Sequence, residues 1–148
     1  MMENITSLSD KRREKQINYE RSILKELTLT QLKTKAYECF GVFMHSGKFD
    51  YSAIEDGCID FSIEAYLLGA SYSRFGFFGE TMQTVNARSR REEKLLVDQL
   101  FDYMLIWGNP GENDFKNESI YYACEFLIHL WWSEGFEKGE KRLKLRLH

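Results

Sequence analysis

The sequence has very little proline and no long hydrophobic run. Pro110 is the single proline in 148 residues, so helices can continue without interruption almost everywhere else. No stretch approaches the roughly 18 consecutive apolar residues that cross a bilayer, and the polar N-terminus lacks the apolar segment of a secretory signal. We therefore expect a cytoplasmic protein that does not enter a membrane.

Cysteine is also scarce. Cys39, Cys58 and Cys124 are odd in number and far apart, no two of them form a CxxC pair, and each falls in an apolar-patterned segment. A disulfide framework or a Cys-based metal site needs paired, closely spaced cysteines. These three are therefore predicted to be buried, reduced thiols.

Charge is unevenly distributed along the chain. The formal net charge is −3, but residues 27–137 hold seventeen acidic against nine basic side chains, whereas residues 138–148 hold five basic and one acidic. A dedicated nucleic-acid binder usually has a basic face on the fold itself, so nucleic acid is not the expected partner. The basic segment 138–148 leaves one weaker alternative, a nucleic-acid accessory factor that binds through its tail.

Apolar residues recur at helical spacing, and no alternating pattern typical of a strand persists beyond four or five residues. The sequence predicts an all-α, single-domain bundle of about five helices over residues 1–148, with residues 1–8 and 147–148 flexible. The expected helices run from Ser9 or Asp10 to about Leu27, from Leu29 to about Phe43, over 53–70, from about Glu80 to Trp107, and onward from near Glu118.

Two of these helix starts carry capping boxes, in which a hydroxyl residue is followed three positions later by Gln or Glu. They are Thr28 with Gln31, and Ser52 with Glu55. In the last helix, Gly135 and Gly139 each lower helix stability by about 1 kcal/mol relative to alanine. Glu–Lys pairs at i,i+4 each raise it by a few tenths of a kcal/mol. The pattern leaves open whether that helix is continuous.

The glycine-rich stretch 67–80, LLGASYSRFGFFGE, is predicted to be the corner of an antiparallel hairpin formed by the third and fourth helices. It is not a phosphate-binding loop, because its glycine spacings fit neither a P-loop nor a dinucleotide fingerprint. A corner centred near Gly76 sets Asp56, Asp60 and Glu64 against three basic residues of the fourth helix. The expected pairs form a salt-bridge seam. They are Glu64 with Arg88, Asp60 with Arg91, and Asp56 with Lys94.

Asp56, Asp60 and Glu64 lie at i, i+4 and i+8 on one helix face, where like charges repel. Besides the seam, a divalent metal is an alternative source of compensation, because hard cations take carboxylates from helix bundles. That alternative predicts a metal-dependent hydrolase acting on a phosphorylated small molecule. The spacing DxxxDxxxE, however, differs from the ExxE and ExxD spacings of helical pyrophosphohydrolases.

No constellation of catalytic residues stands out elsewhere. A GxSxG motif is absent, and Glu125 with His129 is a single ExxxH, whereas a di-iron bundle needs two ExxH motifs. His129 is therefore interpreted as a structural histidine. Near it, Trp132 with Gly135 and Gly139 is predicted to form a surface that accepts a partner helix.

The runs GCIDFSIEAYLLG, FGFFGE and ARSRREE, together with the later WW-x2-GF, resemble the bacillar YbaK-like proteins. These are uncharacterised cytosolic proteins of spore-forming bacilli, classed as a domain of unknown function and unrelated to the prolyl-tRNA editing domain that shares the name. The resemblance covers most of the chain and implies a bacterial, cytosolic, single-domain protein. It implies no activity and no cofactor.

The expected function is therefore protein association. The sequence favours a non-enzymatic module that binds a protein partner or forms a homo-oligomer and needs no cofactor. The metal-dependent hydrolase that would use Asp56, Asp60 and Glu64 is the alternative.

Overall fold

A computed structural model describes residues 8–44, 51–108 and 114–146. The regular structure of these residues is entirely helical, which confirms the all-α prediction. In chain order the helices are α1 (Leu8–Leu24), α2 (Leu29–Met44), α3 (Tyr51–Ser71), α4 (Ser73–Phe77), α5 (Met82–Arg88), α6 (Arg90–Gly108) and α7 (Asp114–Arg146).

The centre of the fold is the parallel pair formed by α3 and α7, since Gly135 lies against Tyr66 and Gly139, further along α7, lies against Ser73, beyond the end of α3. The α7 helix continues for 33 residues through both Gly135 and Gly139, about 50 Å at 1.5 Å per residue. A Cβ on Gly69 would lie 1.9 Å from the carbonyl oxygen of Trp132, and one on Gly135 would lie equally close to that of Tyr66. The glycines therefore let the two backbones touch, which explains why a 33-residue helix tolerates them.

The core surrounds this pair. The main cluster combines buried side chains from α1, α2, α3, α6 and α7, and a smaller cluster lies under α4 and α5. The largest of these buried side chains are Trp132, Tyr66, Phe40, Ile23 and Ile54. Most of the described helices thus bury their apolar faces against α3 or α7.

The predicted fourth helix is in fact two helices. The first is α5, which Thr81 caps by accepting a hydrogen bond from the Thr84 amide at 3.3 Å. It ends at Ser89, a buried residue with φ −94° and ψ 8°, and α6 starts at the next position. The side chain of Asn86 reaches across this break and donates to Glu93 at 2.6 Å.

The glycine-rich corner is likewise more complex than the single reversal that was predicted. It contains the five-residue α4, and the chain reverses at Gly79, whose φ of +106° lies in the left-handed region that favours glycine. The simple hairpin of two continuous helices is therefore wrong, although α3 still packs against α6.

Of the two predicted capping boxes, one is confirmed and the other is wrong. The Thr28–Gln31 capping box is present, with both reciprocal hydrogen bonds at 3.2–3.3 Å. Ser52 is not a cap, because α3 has already begun at Tyr51. Residues 1–7 and 147–148, which contain most of the segments predicted to be flexible, lie outside the described residues.

Candidate interaction surface

The acidic stripe of α3 faces solvent. Asp56, Asp60 and Glu64 are all exposed, and none of them forms an ion pair or a side-chain hydrogen bond with any residue that the structure describes. Each carboxylate is thus left with only a like-charged neighbour one turn away.

The predicted salt-bridge seam is wrong. Arg88, expected opposite Glu64, instead donates two hydrogen bonds to Glu80, at 2.9 and 3.2 Å. Lys94, expected opposite Asp56, pairs with Asp98 on its own helix at 2.8 Å. The register failed because α4 and the break at Ser89 interrupt the two helices that the hairpin assumed to be continuous.

The same three carboxylates do not converge on a metal site. Within the described ranges, no group of three or more His, Cys, Asp or Glu side chains is arranged to hold a metal ion. The acidic stripe lies along a single helix, and no described residue from a second element joins it. The hydrolase alternative therefore lacks the ligand cluster that it requires.

A basic groove lies at the other end of the same side of the molecule. It has a volume of about 790 Å³ and is lined by residues of α1, α4, α6 and α7 and by the end of α3. Its cationic residues are Arg12, Lys15, Arg74 and Arg146, all exposed, and its one carboxylate is Glu92. Four cations against one carboxylate give the groove a formal charge of +3.

The four cations of the basic groove have no acidic partner among the residues that the structure describes. Glu92 offsets one of the four positive charges of the groove but forms no ion pair with any of them, and it accepts a hydrogen bond from the neutral hydroxyl of Tyr72. The neighbouring groove shares Lys15 and Arg146 and adds Arg142, which is 3.6 Å from Glu26. The basic groove therefore presents uncompensated positive charge to solvent.

The acidic stripe and the basic groove are continuous along α3. Residues 56, 60, 64, 67 and 71 fall on one face at 100° per residue. Ser71 lines the basic groove, so the face that is acidic in its first half is basic in its second. We call this surface the bipolar face: it consists of the acidic stripe, the half-buried Leu67 at its centre, and the basic groove.

The predicted partner surface on α7 lies inside the molecule. Trp132 is fully buried, Gly135 touches the backbone of Tyr66, and a Cβ on Gly139 would lie 2.5 Å from the hydroxyl oxygen of Ser73. Gly135 thus accepts α3 of the same chain, and Gly139 accepts Ser73 at the start of α4. This corrects the prediction: the small residues do mark a close helix contact, but within the fold.

His129 has a structural setting, as interpreted from the sequence. Its Nδ1 lies 3.1 Å from Glu93, the same carboxylate that Asn86 holds across the α5–α6 break. Its ring stacks on Trp132 with a centroid separation of 6.5 Å. A groove of about 610 Å³ beside it is lined by the exposed rings of Tyr122 and Phe126.

The cysteines are free thiols, with Cys58 and Cys124 buried and Cys39 half-buried. Burial raises the pKa of all three and raises that of Cys39 to about 11. A nucleophilic cysteine needs a lowered pKa. None of the three has the properties of a catalytic thiol.

Sequence reasoning missed most of the basic groove. Of its cations, only Arg146 lies in the basic segment 138–148 that was singled out. Arg12 and Lys15 are adjacent at i, i+3 on α1, a signal that was present but looked like any solvated helix face.

The comparisons identify relatives but no activity. A family model described as "Protein of unknown function (DUF2521)" matches residues 2–148. The chain is 39% identical over 149 residues to the uncharacterised protein YbaK of Bacillus subtilis (strain 168), with 99% of each chain covered. No solved structure matches the chain. Over the described residues, no helix has both the length and the apolar character to cross a membrane.

Proposed function

Since the chain belongs to the DUF2521 family of proteins of unknown function, we propose its function from the bipolar face: it is a non-enzymatic module that associates with a protein through this surface. The observation that carries the proposal is that three carboxylates without a basic partner and four cations without an acidic partner lie next to each other on one exposed side of α3. Charge that is left uncompensated within a fold and grouped by sign is typical of a surface that is completed by a partner.

The internal energetics support this interpretation. Like charges at i,i+4 destabilise a helix by roughly 0.2–0.5 kcal/mol per pair, and the acidic stripe contains two such pairs. Some surface charges are compensated, as in the pairs Arg88–Glu80 and Lys94–Asp98, whereas others, such as Arg91 and Asp102, have no ion pair among the described residues. The bipolar face differs in that its unpaired charges are grouped by sign, and the repulsion within the acidic stripe is a cost in stability that a partner would offset.

The strength of the association follows from the kind of contact. Exposed ion pairs contribute about 0.2–1 kcal/mol each, and free charges are screened beyond about 10 Å at 0.1 M salt. We therefore expect weak binding, with fast electrostatic association and a strong dependence on ionic strength.

Photo-crosslinking in cells of the native host tests the proposal. A photoreactive amino acid replaces Asp60 or Ser71 on the bipolar face, and Thr34 or Glu137, both exposed on other faces, as matched controls. We expect protein crosslinks from positions 60 and 71 only. The crosslink at 60 should disappear when the basic groove carries Arg12→Glu, Lys15→Glu and Arg74→Glu. Equal crosslinking from all four positions, or from none, would contradict the proposal.

A further inference from the structure

The bipolar face has a symmetry that points to its partner. Resting on the proposed function, we infer that the partner is a second copy of this chain, bound face to face by a two-fold axis that passes beside Leu67. In such a pair each copy sets its acidic stripe against the basic groove of the other, so that both sets of unpartnered charges are satisfied at once.

The spacing of charges along the face fits this axis. Asp60 lies seven residues before Leu67 on α3, and Ser71, which lines the basic groove, lies four residues after it. A two-fold axis at Leu67 reverses the direction of α3 in the second copy, so the acidic stripe of each copy runs toward the basic groove of the other. Arg74 lies beyond the end of α3, on α4, and lines that groove.

The cations of α1 extend the match by one helical turn. Two hydrogen bonds fix α1 antiparallel to α3: the Tyr66 hydroxyl donates to the Ile23 carbonyl at 3.4 Å, and the Tyr19 hydroxyl donates to the Ala70 carbonyl at 3.3 Å. Moving back along α1 from Tyr19 therefore means moving past the end of α3.

On that path Lys15 and Arg12 lie roughly 6 and 10 Å beyond Tyr19 at 1.5 Å per residue. Because Tyr19 lies against Ala70, Lys15 is about as far beyond Leu67 as Asp60 is before it, and Arg12 is close to one turn further out. On the acidic side, Asp56 is one turn further out than Asp60. The acidic residues of α3 and the cations of α1 therefore match in the spacing between successive charges as well as in their distance from Leu67.

The magnitudes of charge also balance. The acidic stripe has a formal charge of −3 from three carboxylates, and the basic groove has +3 from four cations and Glu92. Leu67, half-buried at the centre of the face, would meet its own symmetry mate. An apolar centre with a charged rim is the usual arrangement of a protein interface.

Nucleic acid fits the basic groove less well than a second copy does. Single strands bind where bases can stack on open aromatic rings beside the cations. The Phe75 ring in this groove instead carries the guanidinium of Arg88 at 4.7 Å and that of Arg74 at 5.4 Å. A nucleic acid would also have to approach the acidic stripe that adjoins the groove.

A cysteine on the proposed axis provides the direct test, because a residue beside a two-fold axis meets its own copy. Leu67→Cys is made in a Cys39→Ser background, because Cys39 is half-buried whereas Cys58 and Cys124 are buried. The variant is oxidised at low salt. We expect a disulfide-linked dimer of Leu67→Cys, and no dimer from Thr34→Cys, an exposed position on α2. Raising the salt from about 50 to about 500 mM should slow crosslinking at position 67 about tenfold or more, since the contacts are screened.

The results also separate this inference from the proposed function. A wild-type chain that stays monomeric by light scattering at low salt, with no Leu67→Cys dimer, overturns the second-copy inference. If cellular crosslinks from positions 60 and 71 then lead to a different protein, the proposed function still stands. Salt-sensitive binding of single-stranded DNA or RNA that depends on Arg12 and Arg74 would equally overturn the inference, in favour of a nucleic-acid ligand.

Discussion

Gly135 and Tyr66 bring α7 and α3 into backbone contact, since a Cβ on Gly135 would lie 1.9 Å from the Tyr66 carbonyl oxygen. The neighbouring pair repeats the contact with the roles of the two helices exchanged, since a Cβ on Gly69 of α3 would meet the Trp132 carbonyl oxygen of α7. The bipolar face depends on this arrangement. Because the opposite side of α3 lies flush against α7, its charged side is the one that reaches solvent.

The first prediction concerns this contact. Gly135→Ala should lower the free energy of unfolding by about 3 kcal/mol or more, because the new methyl group meets backbone that cannot rotate away. Urea denaturation measures the loss. The matched control is Gly41→Ala on α2, where the Cβ would lie 3.2 Å from the exposed ring of Tyr37, which has room to shift. Equal effects at the two positions would mean that α3 and α7 are further apart than described.

The second prediction concerns the partner of Arg88. Its guanidinium binds Glu80 through two hydrogen bonds and lies 4.7 Å from the centre of the Phe75 ring. A double-mutant cycle of Arg88→Ala with Glu80→Ala should give a coupling of about 0.5–1 kcal/mol in unfolding free energy. The same cycle with Glu64→Ala should give none. Coupling to Glu64 would restore the simple hairpin register that the structure rejects.

The third prediction concerns the cost of the acidic stripe. Replacing Asp56, Asp60 and Glu64 by Asn, Asn and Gln should raise the free energy of unfolding by about 0.5–1 kcal/mol, because two repulsive i,i+4 pairs disappear. The measurement belongs at low salt and at protein concentrations well below association. Asp98→Asn is the control and should lower the free energy of unfolding, because Asp98 accepts hydrogen bonds from Lys94 and Tyr121. Destabilisation by the triple change would show that the acidic stripe has a stabilising partner after all.

The fourth prediction concerns the thiols and alkaline pH. Burial raises the pKa of Cys58 and Cys124 well above the ordinary thiol value of 9.0, and that of Cys39 to about 11. A pKa that is higher in the folded state contributes stability that is fully present below the unfolded value and is lost as pH rises. The free energy of unfolding should therefore fall between about pH 9 and pH 11.

Thiol labelling at pH 8 checks the same point independently. Cys39 should react more slowly than a free thiol, and Cys58 and Cys124 only after unfolding, because the thiolate is the reactive form. Fast labelling of all three in the native protein would contradict their burial.

Parts of the fold were predictable because their signals are local. The Thr28–Gln31 capping box forms as expected, since its two hydrogen bonds involve residues three apart. The start of α2 at Leu29 follows directly from it. The acidic stripe was visible for the same reason, since its three members share one helix.

Other parts depend on contacts that spacing does not reveal. The break at Ser89 falls in a stretch, residues 80–107, that contains no glycine or proline, and it is bridged by Asn86 and Glu93, so the sequence has no strong helix breaker at that point. The glycines of α7 predicted a close helix contact, but their spacing cannot tell a partner chain from α3. The basic groove assembles Arg12, Arg74 and Arg146 from distant parts of the sequence and exists only once the helices have packed.

The proposed dimer requires that the acidic stripe of one copy recognises the basic groove of the other. The decisive measurement is the light-scattering mass at low salt of two charge-reversed variants, alone and mixed. One carries Asp56→Lys, Asp60→Lys and Glu64→Lys, and the other carries Arg12→Glu, Lys15→Glu and Arg74→Glu. Each variant alone should be monomeric where the wild type is dimeric, because both of its contacts become repulsive, and the equimolar mixture should recover the dimer mass. Dimers in either variant alone, or a mixture that stays monomeric, would contradict the account.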